Sequence, residues 1–293
     1  MTNIVVEVPQ QDILVLSPGV GGVADHAHAY ALSLPGTVGN YASTPDSVAV
    51  SITSDIDIRV RVAADDWTPA IAVANLVSKW PGGALSVLSY YLGIRDNGFL
   101  TLTWVNAAED FVVRNSTVAT GLANEIGKWV RATLDADNGV AGHDVKFYTS
   151  ADGDNWIQLG TTVTMPGITD INDSPSILEI GSRDTGSQGL AVAKIYYAEV
   201  RNGIDGPVVA KFDPLNDGAL LGDTSFTAST GEVWTINQSG SPAAELIGLF
   251  DHDHPQYLLP IAVASVTPTA QNRTIEVEVG GTTYYLTAKT TND

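Results

Sequence analysis

The chain has 293 residues, 44% of them apolar and 16% charged, with 33 acidic against 14 basic side chains for a net charge of −19. That length holds one large β domain or two smaller domains, and that charge repels both a phosphate backbone and an anionic membrane surface. Cysteine is absent, which excludes disulfides, thiolate metal sites and cysteine catalysis and fits folding in a reducing cytoplasm.

Residues 1–22 read as an extended N-terminal arm. Ile4-Val5-Val6-Glu7-Val8 has strand character, and Pro9, Pro18, Gly19, Gly21 and Gly22 then break any compact pattern. The first residues lack the basic-then-apolar pattern of a secretory signal, and no apolar run is long enough to span a bilayer. From residue 40 the period-2 signal dominates. Asp55 to Val62 alternates without a fault, with Ile56, Ile58, Val60 and Val62 directed to a core and Asp57, Arg59 and Arg61 to water. Val48, Val50 and Ile52 continue the pattern upstream. Residues 92–94 and 99–104 flank Asn97-Gly98, a pair that supplies the positive φ a tight hairpin turn needs. Further strands are expected at 128–134, 144–149, 156–159, 176–181 and 191–200, with a turn at Asp152-Gly153. Glu232 to Ile236 reads as an outer strand. Residues 274–279 and 282–287 form a hairpin about Gly280-Gly281.

No segment carries a sustained helical period, so the expected fold is all-β, an antiparallel jelly-roll sandwich. The expected organisation is an arm at 1–22, a sandwich at 23–240, a linker at 241–260 and a C-terminal hairpin segment at 261–293.

The run from residue 40 to 215 resembles the laminin-G/concanavalin-A-like jelly-roll superfamily. The features that carry the likeness come in order: the strand Ile56 to Val62, then Leu76 to Trp80, the hairpin at Asn97-Gly98, and Gly127-Lys128-Trp129-Val130-Arg131-Ala132-Thr133. Val145 to Tyr148 with Asp152 to Trp156 follows, then Leu178 to Ser182, and Ile195-Tyr196-Tyr197-Ala198-Glu199-Val200-Arg201 closes it. Two other stretches, Asp251-His252-Asp253-His254-Pro255-Gln256-Tyr257-Leu258 and Phe226 to Thr235, resemble bacteriophage minor tail and tail-fibre proteins. That resemblance implies a virion tail component assembled in the host cytoplasm, in contact with other tail proteins. It implies homo-oligomers, with a trimer favoured, and a jelly roll that meets partners or a host cell-surface glycan. A cell-surface glycan-binding adhesin, a capsid decoration protein and a glycoside hydrolase are the alternatives.

Glycoside hydrolysis needs two carboxylates across one cleft. Asp55 and Asp57 have strand spacing but lie on the polar side, and Glu276 and Glu278 lie in the terminal hairpin, so no enzyme is expected. His143 sits in a Gly-rich turn with no Gly-x-Ser-x-Gly elbow and reads as a surface histidine. His26-Ala27-His28 and His252-Asp253-His254 each put two imidazoles on one side of an extended segment. His252 and His254 would hold a transition metal only if shared across a three-fold axis, as the fibre resemblance implies. Asp135 to Gly139 and Asp152 to Asn155 supply oxygen ligands for Ca²⁺, yet the same residues build turns. Trp104 and Trp129 fall within strands and read as core. Trp67 and Trp80 stand beside Pro69 and Pro81 in loops and are the candidate glycan or partner contacts.

Overall fold

The computed structural model describes residues 30–248, together with the backbone of four short strands near the ends of the chain. Residues 26–254 form one compact unit, and residues 1–25 with 255–293 form another. Within the second unit Ile4–Glu7 pairs antiparallel with Ile13–Leu16. Asn272–Val279 pairs antiparallel with Thr282–Lys289, Val279 facing Thr282.

The larger unit is an all-β, antiparallel jelly-roll-type sandwich. One sheet runs through Ile157–Gln158, Gly142–Ser150, Lys128–Asp135, Ile56–Ala64, Val192–Asn202, Ala31–Pro35 and Glu245–Ile247, with Val163–Pro166 and Val208–Phe212 paired at its flanks. The other runs through Ser225–Thr227, Val233–Asn237, Tyr41–Thr44, Leu178–Ile180, Val73–Lys79, Tyr90–Arg95, Leu100–Val105 and Phe111–Asn115. The inward residues of both meet in one core: Ile56, Ile58, Val60 and Val62 from the first sheet, Leu92, Leu102, Trp104 and Trp234 from the second. The aromatic members keep their polar atoms satisfied, as burial demands. Trp104 Nε1 donates to Thr169 Oγ1 at 3.1 Å and Trp234 Nε1 to the Lys211 carbonyl at 2.7 Å. Phe212 meets Trp234 edge-on at 5.2 Å.

Most expected strands and both named hairpins are present. Tyr90 faces Trp104 across the Asn97-Gly98 hairpin, and Gly98 takes the positive φ of 77° that its turn requires. Three expectations change. Val48–Val50 is a 3-10 turn and not a strand, with Val50 and Ile52 in the core and Val48 94% exposed. Glu245–Ile247, expected in the linker, is an edge strand of the sandwich that pairs with Ala31–Pro35. Val233–Asn237 is one strand in from the edge, which Ser225–Thr227 occupies.

Phe147, fully buried between the sheets, and Val48 separate core from pattern. Phe147→Ala should cost about 3–5 kcal/mol in urea unfolding. Val48→Ala should stay within about 0.5 kcal/mol of the parent. A large loss at Val48 would mean that the turn is buried.

Candidate functional site: an arginine and aromatic face

Alternation sends every second residue of the first sheet outward. On three neighbouring strands the outward positions form rows. Trp129, Arg61 and Tyr197 are directly paired in one row, and Tyr148, Arg131, Arg59 and Glu199 in the next. Thr133, Asp57 and Arg201 make a third. Four of the chain's eight arginines thus collect on one face of a strongly acidic protein.

Asp57 organises this face. It was expected in water, but it is 0% exposed. Arg131 donates to it twice, Nε to Oδ1 at 2.9 Å and Nη2 to Oδ2 at 2.7 Å. Arg59 donates from Nη2 at 2.8 Å, and the Asp205 amide adds a bond at 3.1 Å. The Asp205 carboxylate also pairs with both guanidinium groups. Burial alone would raise the Asp57 carboxyl, but the hydrogen bonds and charges of Arg59 and Arg131 outweigh it and hold it below its ordinary 3.8. Next to it, Glu199 accepts from the Tyr197 hydroxyl and from Arg201 Nε, both at 2.6 Å.

The fixed guanidinium groups carry rings. Arg59 and Arg131 each lie 5.7 Å from the Trp156 ring, and Arg131 lies 5.1 Å from Tyr148. Trp129 packs edge-on to Trp156 at 6.3 Å and tilts against Tyr197 at 5.1 Å. Arg61 sits 4.8 Å from Tyr196 and 5.7 Å from Tyr30, and donates to the Tyr30 hydroxyl. The turn at Asp152-Gly153 fits closely over the Trp129 indole, since a Cβ on Gly153 would come within 2.7 Å of it. Trp129, Tyr148, Trp156 and Tyr197 remain half-buried, and Ile157 beside them is 71% exposed. The result is a rigid set of rings in a lattice of charged donors and acceptors.

The residues singled out in the sequence fare differently. Trp67 and Trp80 are not exposed; they are 3% and 6% accessible. Trp67 donates its indole N–H to the Ala123 carbonyl at 3.1 Å, and Trp80 packs edge-on to Tyr91 and Phe111. The rings are covered by distant segments, Trp67 by the chain at Ala123 and Asn124 and Trp80 by Tyr91 and Phe111, so neither stands exposed as expected. Trp129 is not core. Its parity with Arg131, opposite to Val130, Ala132 and Leu134, was the signal that it faces outward. His143 is buried in the strand Gly142–Ser150 and not on the surface. Its Nδ1 donates to the Gly167 carbonyl at 2.8 Å, which leaves Nε2 to accept from Arg114 Nη2 at 3.2 Å. The Asp152 carboxylate caps its own turn, accepting from the amides of Asp154 and Asn155. Asp137 likewise accepts from the Gly139 amide. Among the described residues no three His, Asp or Glu side chains converge on a point that would hold a metal ion. His252 and His254, like His26 and His28, lie outside the described residues.

No protein-family model matches the chain, and no curated protein matches it. Solved structures with a similar chain path include the CBM40 of the Ruminococcus gnavus IT-sialidase bound to α2,3-sialyllactose, at 12% identity and TM-score 0.38, covering 60% of this chain and 94% of that one. A SAP-like pentraxin from Limulus polyphemus has 12% identity and TM-score 0.38, covering 72% and 96%. Domains LG4-5 of mouse laminin α1 have 13% identity and TM-score 0.42, covering 67% and 47%.

Asp57→Asn leaves Arg131, itself only 6% exposed, short of its main counter-charge, and should cost about 3–5 kcal/mol. The linkage sign follows from the lowered carboxyl. Its stabilising effect is full above the unfolded value of 3.8 and declines progressively as the pH falls from there through the lower folded value. The gap between the urea midpoints of parent and variant should therefore narrow as the pH is lowered from neutral to 3. A gap that stays constant with pH would show that the charge on Asp57 is not what stabilises the sheet.

Proposed function

We propose that the chain is a non-catalytic glycan-binding module. The observation that carries this reading is the outward cluster of half-buried Trp129, Trp156, Tyr148 and Tyr197, gathered about Arg59 and Arg131. Ring faces offer flat apolar area to the C–H face of a sugar at little entropic cost, because the rings are already immobilised. The surrounding guanidinium, carboxylate and phenol groups match hydroxyl donors and acceptors, and bidentate arginine suits acidic substituents. The Asp57 carboxylate, saturated by Arg59, Arg131 and the Asp205 amide, is placed to hold the face and not to transfer protons.

In this reading the module belongs to a phage virion, in the tail or its tip, and presents this face to glycans of the host surface. The support is the sequence of residues 251–258 and 226–235, together with the absence of cysteine.

Titration calorimetry against oligosaccharides and cell-surface polysaccharides of candidate hosts tests the glycan reading. Trp156→Ala and Trp129→Ala should each weaken binding by about tenfold or more, roughly 1.4 kcal/mol. Trp67→Phe, inside the sandwich, should leave it unchanged. Binding that survives both outer substitutions, or fails across the whole panel, ends this reading. Antibody labelling of intact virions tests the tail assignment separately, and label on the capsid shell would overturn it.

A further inference from the structure

The cations of the aromatic face are not all alike. Arg59 and Arg131 share Asp57 and Asp205, and Arg201 pairs with Glu199 at 2.6 Å. The row continues past Glu199 to Lys211, which faces it on the next strand and pairs with Asp213 at 3.3 Å and Asp217 at 3.1 Å. Arg61 pairs with no carboxylate among the described residues. Its one hydrogen bond there runs from Nη1 to the Tyr30 hydroxyl at 3.1 Å, which leaves Nε and Nη2 unbonded.

The surrounding rings hold this guanidinium in place. It lies 4.8 Å from the Tyr196 ring and 5.7 Å from the Tyr30 ring, and those two rings meet edge-on at 5.2 Å. Tyr196 packs on Ala63 and reaches Gly127, where a Cβ would come within 3.2 Å of its ring. Gly127 is two residues before Trp129, and Trp129 and Tyr197 are the direct neighbours of Arg61 on the strands to either side. Arg61 therefore stands between the Tyr196 ring and the Trp129–Tyr197 pair, about 5 Å along the sheet from each member of that pair.

An arginine that is half-buried and drawn partly out of water is stabilised by a counter-ion, and the described part of the chain supplies none. The neighbouring charges decide which anion suits it. Asp57, Asp205, Glu199, Asp213 and Asp217 populate the adjoining rows, so a ligand of high negative charge is repelled. A phosphate ester carries close to two charges. A carboxylate carries one, and it lies flat in the fork of a guanidinium. Resting on the glycan reading above, we propose that the face selects acidic sugars, with Arg61 taking the carboxylate of a uronic-type residue whose ring lies against Trp129 and Tyr197. The acid is confined to that one position of the glycan, because the adjoining rows are charge-matched or negative.

The test is calorimetric titration of the intact chain with three probes of one linkage: trigalacturonate, its methyl ester, and α-1,4-galactotriose. Trigalacturonate should bind at least tenfold tighter than either uncharged probe. Arg61→Gln should bring its affinity down to that of the ester. Arg61→Lys, which keeps the charge without the fork, should retain part of the preference. Trp129→Ala should weaken all three probes, and Trp67→Phe none. If thermal melting shows that Arg61→Gln does not fold, Arg61→Lys decides, and an undiminished preference in it counts against the proposal. Equal affinity for the three probes, a preference that survives Arg61→Gln, or trigalacturonate binding indifferent to Trp129→Ala would overturn this inference and leave the glycan reading standing. No heat from trigalacturonate overturns it too, and failure of every charged and neutral glycan ends both readings together.

Discussion

Register places Arg59 directly opposite Arg131 on adjacent central strands. Like charges in that relation repel, and here the pair is largely removed from water, which makes the repulsion worse. One buried carboxylate resolves it. Asp57 sits one row along, reaches both guanidinium groups, and pays for its own desolvation through the hydrogen bonds they donate. Everything on the outer face follows. With the arginines fixed, Trp156 and Tyr148 have a surface to lie against. With Trp156 fixed, Trp129 has a neighbour, and Tyr197 completes the group from the next strand.

The inner face depends on a simpler rule. Its residues are apolar, their few polar atoms are bonded, and the two sheets close on one core. The outer face is specific because its interactions are directional. The same strands therefore serve two ends: the even-numbered residues of Ile56–Ala64 hold the sandwich together, and Asp57, Arg59 and Arg61 prepare a surface.

The architecture was legible in the sequence wherever alternation and turn chemistry agreed. Ile56 to Val62 forms a strand with its even-numbered residues in the core, and the strands on either side of Asn97-Gly98 and of residues 280–281 pair antiparallel, as expected. Alternation tells which side of a strand a residue takes, however, and not what covers that side. Asp57 was rightly assigned to the polar side and wrongly to water, because its cover comes from Arg131 and from Asp205, 148 residues away. Trp67 and Trp80 failed for the opposite reason. A proline neighbour marks a change of direction, and the rings there are covered by segments far along the chain, Ala123 and Asn124 at Trp67 and Tyr91 and Phe111 at Trp80. Three-residue elements such as Glu245–Ile247 and the Val48–Val50 turn are too short for any period to show.

Where the chain enters and leaves the sandwich has a mechanical consequence. The Tyr30 amide donates to the Ile247 carbonyl at 2.6 Å, and just beyond it Ala31, Leu32 and Ser33 face Ile247, Leu246 and Glu245. The two strands run antiparallel, so both open ends lie on the same side. Tension applied through the two ends would not shear these rungs together. It would load the Tyr30 bond first and then part the rungs in succession, as a zipper opens. The edge strand would peel away at low force while the strands that carry Asp57, Arg131 and Trp129 stayed paired. Under pull, the sandwich can lengthen by one short strand before its outer face is disturbed.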